Sequence, residues 1–325
     1  MQLLDLAAGL WRSRALAVAA ELEVADLLAN GPLHIDELAS RTKTHAQSLF
    51  RMLRALESIG VFQQGLPRVF ANTQLSHFLR KEVPGSQWAA VRLAFSTDLG
   101  EFDAWTGLMG SIQSGQIAFN KIHGYSFWEF LKRNPKQEAI FGEAMRSMTV
   151  AGTPMITAAY DWSQFPVIAD IGGGIGTQLV DILNAHASCR GILFDQPDVV
   201  ARSIPHDRIE RVGGNFFDSV PTGADAYILR AILHDWADPE AIAILKTVRA
   251  AAKPGSRVIF MEQVIKETPE YGLHKWLDLV MLTVLGGQER TMVEYLHLLE
   301  EAGLELERTI SMSGPAMLIL SHSRP

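Results

Sequence analysis

Residues 167–180, VIADIGGGIGTQLV, constrain this 325-residue chain more than any other stretch. An apolar run of five ends at Gly172, Gly174 and Gly176, and a helical pattern starts directly after them. A strand that turns into a helix this quickly needs backbone without Cβ atoms, and the same glycines let a ligand approach the main chain. Nineteen residues beyond Gly176 the next apolar run, GILFD, ends in Asp195. A carboxylate at that point can accept hydrogen bonds from both hydroxyls of a ribose, so the pattern predicts an adenosine-containing ligand. NAD and S-adenosylmethionine share the ribose acid. Asp170, just before the glycines, would repel a pyrophosphate but suits a sulfonium and an ammonium group. The expected cofactor is therefore S-adenosylmethionine, with S-adenosylhomocysteine as its product.

From about residue 160 apolar strand-like runs alternate with helical patterns. Strands are expected at 167–171, 191–195, 209–213, 225–230, 257–264, 304–311 and 316–321. The intervening helices call for parallel pairing. The last two runs are separated only by a short stretch around Ser313, Gly314 and Pro315, too short for a crossover helix, so they should be antiparallel. This predicts a mostly parallel seven-stranded sheet with an antiparallel finish, unlike the all-parallel dinucleotide pattern.

Residues 1–155 follow a different pattern, helical almost throughout. The stretch 32–75 reads as helix, turn, helix and short hairpin, with a turn at Gly65–Pro67, which is winged-helix order. Such a unit can place its second helix in a DNA groove. Over residues 1–90, however, nine Lys and Arg face eight Asp and Glu, and the second helix offers only Arg51 and Arg54. A structural or dimerising role fits better than nucleic-acid binding. Residues 84–160 add large apolar side chains, among them Phe95, Trp105, Phe119, Phe127, Trp128 and Phe141, able to line a pocket as well as a core. Two domains are expected, 1–155 and 156–325.

The net charge of −7 supplies no broad positive field for a phosphate backbone. Cys189 is the only cysteine, which excludes an intrachain disulfide and a cysteine-ligated metal centre. The apolar N-terminus is broken by Asp5, Arg12, Arg14, Glu21 and Glu23 and lacks a signal-peptide layout, so no membrane span and a cytoplasmic location are expected.

A second chemical constellation lies in DAYILRAILHDWADPE, residues 225–240. His234 follows a buried strand, at the edge where open α/β sheets bind ligands, and Asp238 with Pro239 marks a helix start. Histidine suits removal of a hydroxyl proton near neutral pH, and a carboxylate would orient and strengthen it. Glu262, interrupting the apolar strand RVIFMEQV, and Glu289, in VLGGQERT, are the two candidates. Asn215 and Phe216 close another strand where an adenine could rest. Trp236 can stack on that adenine or pack beneath a helix. A helix over 273–285 carries Asp278 and Met281 on an otherwise apolar element.

These segments resemble the small-molecule O-methyltransferases typified by the caffeic acid, hydroxyindole, phenazine and bacterial polyketide enzymes. DIGGGIG, FDQPDVV, VGGNFFDSVP, LHDWAD, DLVML and GGQERT carry the resemblance over nearly the whole chain. It implies an α/β Rossmann-like seven-stranded methyltransferase domain preceded by a helical winged-helix dimerisation domain that forms a homodimer and contributes to the acceptor pocket. It further implies His234 as base with Glu262 and Glu289 flanking it, Asp195 on the ribose, Asn215 and Phe216 on the adenine, Arg230 near the base and Thr149 at the methionine end. Phe95, Phe141, Met145, Met148, Asp278 and Met281 would face a small-molecule acceptor, with no metal required. The chain departs from the family at Asn215, where Asp is usual, and at Met148, often His. The expected reaction is direct displacement of the methyl group by an acceptor hydroxyl, phenolic or enolic. Relatives that bind the cofactor without transferring its methyl group, and a DNA-binding regulator, are the rival readings.

Overall fold

A computed structural model describes residues 2–312 and 316–324. The chain divides into two compact units, Met1–Gly107 with Ile122–Ala151, and Leu108–Lys121 with Gly152–Pro325.

In the first unit, helices Ile35–Thr42 and Ala46–Glu57 are followed by the hairpin of β2 (Phe62–Leu66) and β3 (Val69–Asn72). A two-residue strand β1 (Leu33–His34), too short to leave a sequence pattern, pairs with β3 and completes a three-stranded antiparallel sheet. Leu49, Leu53 and Leu56, four and three residues apart, put one face of the second helix into a core with Ile35, Leu38, Phe62 and Phe70. On its exposed side Arg54 and Arg68 both lie over the ring of Phe50, at 5.5 and 4.7 Å, which occupies one of the two arginines that a groove-reading helix would offer.

The second unit is built on β4 (Val167–Ile171), β5 (Arg190–Asp195), β6 (Ile209–Gly213), β7 (Ala226–Arg230), β8 (Arg257–Gln263), β9 (Leu304–Ser311) and β10 (Ala316–Ser323). All seven lie at the expected places. Their order across the sheet is β6-β5-β4-β7-β8-β10-β9. Pairing is parallel from β6 to β8, and β10 runs antiparallel to both its neighbours. The expected turn at Ser313–Pro315 lies outside the described residues.

Alternate residues of each strand serve opposite faces. Ala169 and Ile171 join a core with Tyr227, Phe260, Ile244 and Leu298. Ile168 faces the other way, onto Leu179 and Ile182 of helix Thr177–Ala185. Because both faces are covered, the strands read as nearly continuous apolar runs. From β4 the chain proceeds outward through β5 and β6, then crosses back to β7 on β4's other side. The carboxyl ends of β4 and β7 therefore flank the topological switch point, where such sheets open a crevice. Among the described residues no helix is long and apolar enough to cross a membrane.

Candidate active site

The turn leaving β4 is bound to the end of β5. The amides of Gly172 and Gly173 both donate to the Phe194 carbonyl, at 2.8 and 3.3 Å. Gly172, Gly174 and Gly176 have φ of +70°, +60° and +88°, a region L side chains avoid. At Gly173 the limit is space, since a Cβ would stand 2.6 Å from Asp170 and Leu193 side-chain atoms. Asp195 Oδ2 accepts from the Gly174 amide at 2.7 Å, and Oδ1 accepts from Gln196 at the same distance. The ribose candidate thus also shapes the glycine loop.

Asp170 is buried at the end of β4. Burial pushes its carboxyl up to about 7, with Arg230 opposing the shift and Asp195 adding to it. Burial also lowers Arg230, to about 10, against the pull of Asp170. The guanidinium donates to Thr153 Oγ1 and Gln178 Oε1, both at 2.8 Å. Gln178, a buried polar residue on the helix after the glycines, donates in turn to Thr157. Sequence reasoning passed over Gln178, although a polar group at an inward helical position was a legible signal.

Beyond β6, Asn215 Oδ1 accepts from the Phe217 amide at 3.2 Å and its amide nitrogen donates to Asp218. One acceptor of Asn215 is therefore engaged in its own turn, and the charge the family usually carries here stands three residues on, at Asp218. Phe216 and Phe217 meet Trp236 edge to face, with centroids 5.9 and 4.7 Å apart. The indole packs with both rings against the core.

After β7 the chain makes an irregular turn. Ala231 has φ +53°, and a single 3-10 turn, Leu233–Asp235, presents His234. Its imidazole is 16% exposed, while the side chains of Glu262 and Glu289 are fully buried. Nδ1 donates to Glu289 Oε1 at 3.0 Å, and Glu262 Oε2 lies 3.8 Å away. Glu262 Oε1 has another task, accepting the Ile232 and Leu233 amides at 3.1 and 2.9 Å. On the ring's far side Asp235 Oδ1 stands 3.4 Å from Nε2. This third carboxylate was present in the LHDWAD segment, but sequence reasoning gave it no role.

Burial alone would lower the imidazole's proton affinity. Asp235, Glu262 and Glu289 outweigh it and raise His234 to about 10. Burial raises Glu262 to about 7 and Asp235 to about 6, with His234 resisting in both cases. The crevice thus holds one imidazolium amid more acid than base, an environment receptive to a further cation.

Asp278 Oδ1 accepts the Glu289 amide at 2.9 Å and so supports the histidine's partner. The expected helix 273–285 is α-helical only over Leu273–Val280, then widens into a π turn, Met281–Leu285, with Met281 buried at its start. Phe95, Phe141, Met145, Met148 and Thr149 belong to the first unit. There Phe141 meets Phe127 and Trp128 edge to face, the Phe95 carbonyl accepts from Arg14, and Met148 is exposed.

A parallel sheet with one reversed strand, a glycine loop with a terminal acid on the next strand, and a buried carboxylate facing a crevice suited to cations define an S-adenosylmethionine-binding methyltransferase domain. Residues 105–305 match the model of the O-methyltransferase domain, and residues 4–82 that of the O-methyltransferase dimerisation domain. The phenazine O-methyltransferase of Lysobacter antibioticus is 39% identical, over 95% of this chain and 92% of that protein. The mitomycin biosynthesis 6-O-methyltransferase of Streptomyces lavendulae is 36% identical, over 97% and 92%. Among solved structures, LaPhzM superposes with a TM-score of 0.95 at 37% identity, covering 99% of this chain and 98% of that one. The O-methyltransferase of neocarzinostatin biosynthesis, crystallised with S-adenosylmethionine and 2-hydroxy-5-methyl naphthoic acid, gives 0.84 at 32% identity, covering 96% of each. The chain belongs to this family and is an S-adenosylmethionine-dependent O-methyltransferase.

Proposed function

We propose that the acceptor is a small aromatic secondary metabolite bearing a phenolic hydroxyl, and that His234 is the base that removes its proton. The observation that carries this reading is the Nδ1 contact with Glu289 at 3.0 Å, which commits one ring nitrogen and leaves Nε2, 3.4 Å from Asp235 Oδ1, as the nitrogen that exchanges a proton. The family's acceptors point the same way, since a hydroxynaphthoic acid occupies the neocarzinostatin enzyme.

The glycine loop, Asp195 and Asp170 fit an adenosine ligand carrying positive charge, because the loop is open at Gly174 and Asp170 is a buried acid. Bound S-adenosylmethionine supplies an electrophilic methyl group on a sulfonium. Arg230, tied to Thr153 and Gln178, is placed to meet a carboxylate. Asp195 takes the ribose hydroxyls, Phe216 and Asn215 border the adenine, and Trp236 supports Phe216. His234 accepts the acceptor's proton at Nε2, while Glu289 and Glu262 stabilise the imidazolium that results. With its proton affinity raised to about 10, His234 is largely protonated in the ligand-free protein at neutral pH. It becomes a better base as pH rises and when positive charge enters the crevice.

Turnover should therefore climb with pH, its acid limb centred above the ordinary histidine value of ~6.5. Initial rates of methyl transfer to a phenol panel between pH 6 and 10 test this, and a rate already level at pH 6 contradicts it.

The chain is further proposed to work as a homodimer. Leu4, Leu6, Leu10 and Trp11, within the segment matched to the dimerisation domain, are 57–78% exposed in the single chain. Burial of each is worth roughly 1.5–3 kcal/mol. Leu6→Asp with Trp11→Asp should halve the mass measured by light scattering, and an unchanged dimer mass would place the interface elsewhere.

A further inference from the structure

The turn that presents His234 has two backbone hydrogen bonds of its own, Asp235 N to Ile232 O at 3.2 Å and Trp236 N to Leu233 O at 3.4 Å, and distant groups hold the rest of its backbone. On one side Glu262 Oε1 takes the Ile232 and Leu233 amides. On the other, the segment Gln288–Arg290 takes three carbonyls of the four residues 233–236. Arg290 Nη1 donates to Leu233 O at 2.8 Å, the Gln288 amide to His234 O at 2.9 Å, and Arg290 Nη2 to Trp236 O at 2.8 Å. Asp238 Oδ1, at the first turn of the following helix, anchors the fork from Nε at 3.0 Å and Nη2 at 2.8 Å. Gln288 Nε2 donates to the same oxygen at 2.9 Å.

Arg290 is fully buried, whereas its partner Asp238 is 41% exposed. A buried guanidinium is expensive unless every donor is used, and these are directed largely at the His234 turn. Its own carbonyl accepts the Ile265 amide at 2.9 Å, which ties the segment to the strand of Glu262. Gly287 lies so close that a Cβ there would strike His234 O, Asp235 C and Trp236 N.

We propose that Arg290 is a positioning residue for methyl transfer, holding the Leu233 and Trp236 carbonyls on either side of His234 while the adjacent Glu289 sets the rotation of the ring. The proposal rests on the reading of His234 as the base. One short segment then controls both the place of the imidazole and its orientation. Lysine cannot reproduce this, because a point ammonium does not span two carbonyls and a carboxylate at fixed angles. Displacements near 1 Å at a reacting group can cost ~10²-fold in rate.

The test compares R290K with wild type in steady-state methyl transfer to a phenolic acceptor. We expect kcat to fall at least ~10-fold, with KM for cofactor and acceptor within about threefold, and the acid limb of the pH profile to move downward as the Glu289 contact loosens. In an H234A background R290K should cause no further loss, because its effect acts through the ring. D238A, at a partly exposed helix start, should reproduce the loss if R290K folds poorly, and D238N, which keeps the accepting oxygen, should restore most of kcat. Wild-type kcat in R290K and D238A, or an undiminished loss in the H234A background, overturns the proposal. A wild-type rate for H234A itself removes the base reading, and with it this one, whatever R290K does.

Discussion

Replacing His234 with alanine is expected to lower kcat by ~10²–10⁴-fold while leaving S-adenosylmethionine affinity within about threefold. The direction follows from the division of labour in the crevice. The glycine loop, Asp195 and Asp170 are held by β4 and β5, whereas His234 sits on the turn after β7, tied to Glu262 and Glu289. Removing the ring deletes the proton acceptor without touching those cofactor-side contacts. It also strips three carboxylates of their cation, so Glu262 and Asp235, already raised to about 7 and about 6, should take up protons and keep the variant folded. Initial-rate kinetics with isothermal titration of the cofactor read the two quantities separately. An unchanged kcat would remove His234 as base, and a collapse of cofactor affinity would make it a binding residue.

Asp170→Asn should act in two opposite directions. Burial lifts the Asp170 carboxyl from an ordinary value near 3.8 to about 7, so the folded protein holds that proton more tightly than the unfolded chain does. The resulting stabilisation is complete below pH ~4 and disappears as pH rises through 7, where the folded state must carry a desolvated charge. Asparagine does not titrate, and Arg230 keeps its hydrogen bonds to Thr153 and Gln178. The ligand-free variant should therefore melt on the order of 5 °C higher at pH 8.5, with the gain cut to about a third at pH 5 and absent below pH ~4. Its affinity for S-adenosylmethionine should drop about tenfold or more, because a charge-assisted contact to a cation becomes a neutral one. Melting curves at the two pH values and a cofactor titration check both halves. Superimposable wild-type and variant curves would mean that Asp170 is not penalised, and unchanged affinity would place the cation elsewhere.

Glu262 shows why one site reads so differently from its parts. As a sequence feature it is an acid interrupting RVIFMEQV, and burial of an unpartnered carboxylate is costly enough to mark it. Its two oxygens have different duties in the fold, one fixing the amides of Ile232 and Leu233 and the other 3.8 Å from the imidazole. Glu289, which follows a glycine pair in VLGGQERT, is the one in hydrogen-bond contact with Nδ1. Nothing local to either residue separates them. Asp278, which the family resemblance places against the acceptor, has one oxygen on the Glu289 amide for the same reason, a packing neighbour eleven residues away.

By itself, the sequence determined the seven strands, the glycine loop with Asp195 nineteen residues on, and the histidine beyond β7, because each rests on periodicity or spacing within a few dozen residues. That was enough for the cofactor class, while the family came from the resemblance that DIGGGIG, LHDWAD and GGQERT carry. Only the tertiary structure decided that residues 234, 262 and 289 meet, that Arg290 grips the histidine's turn, and that Leu108–Lys121 belongs with the second unit. Those contacts depend on strand order and on how segments tens of residues apart pack, and hydrophobic spacing records which way a side chain faces, not what it faces.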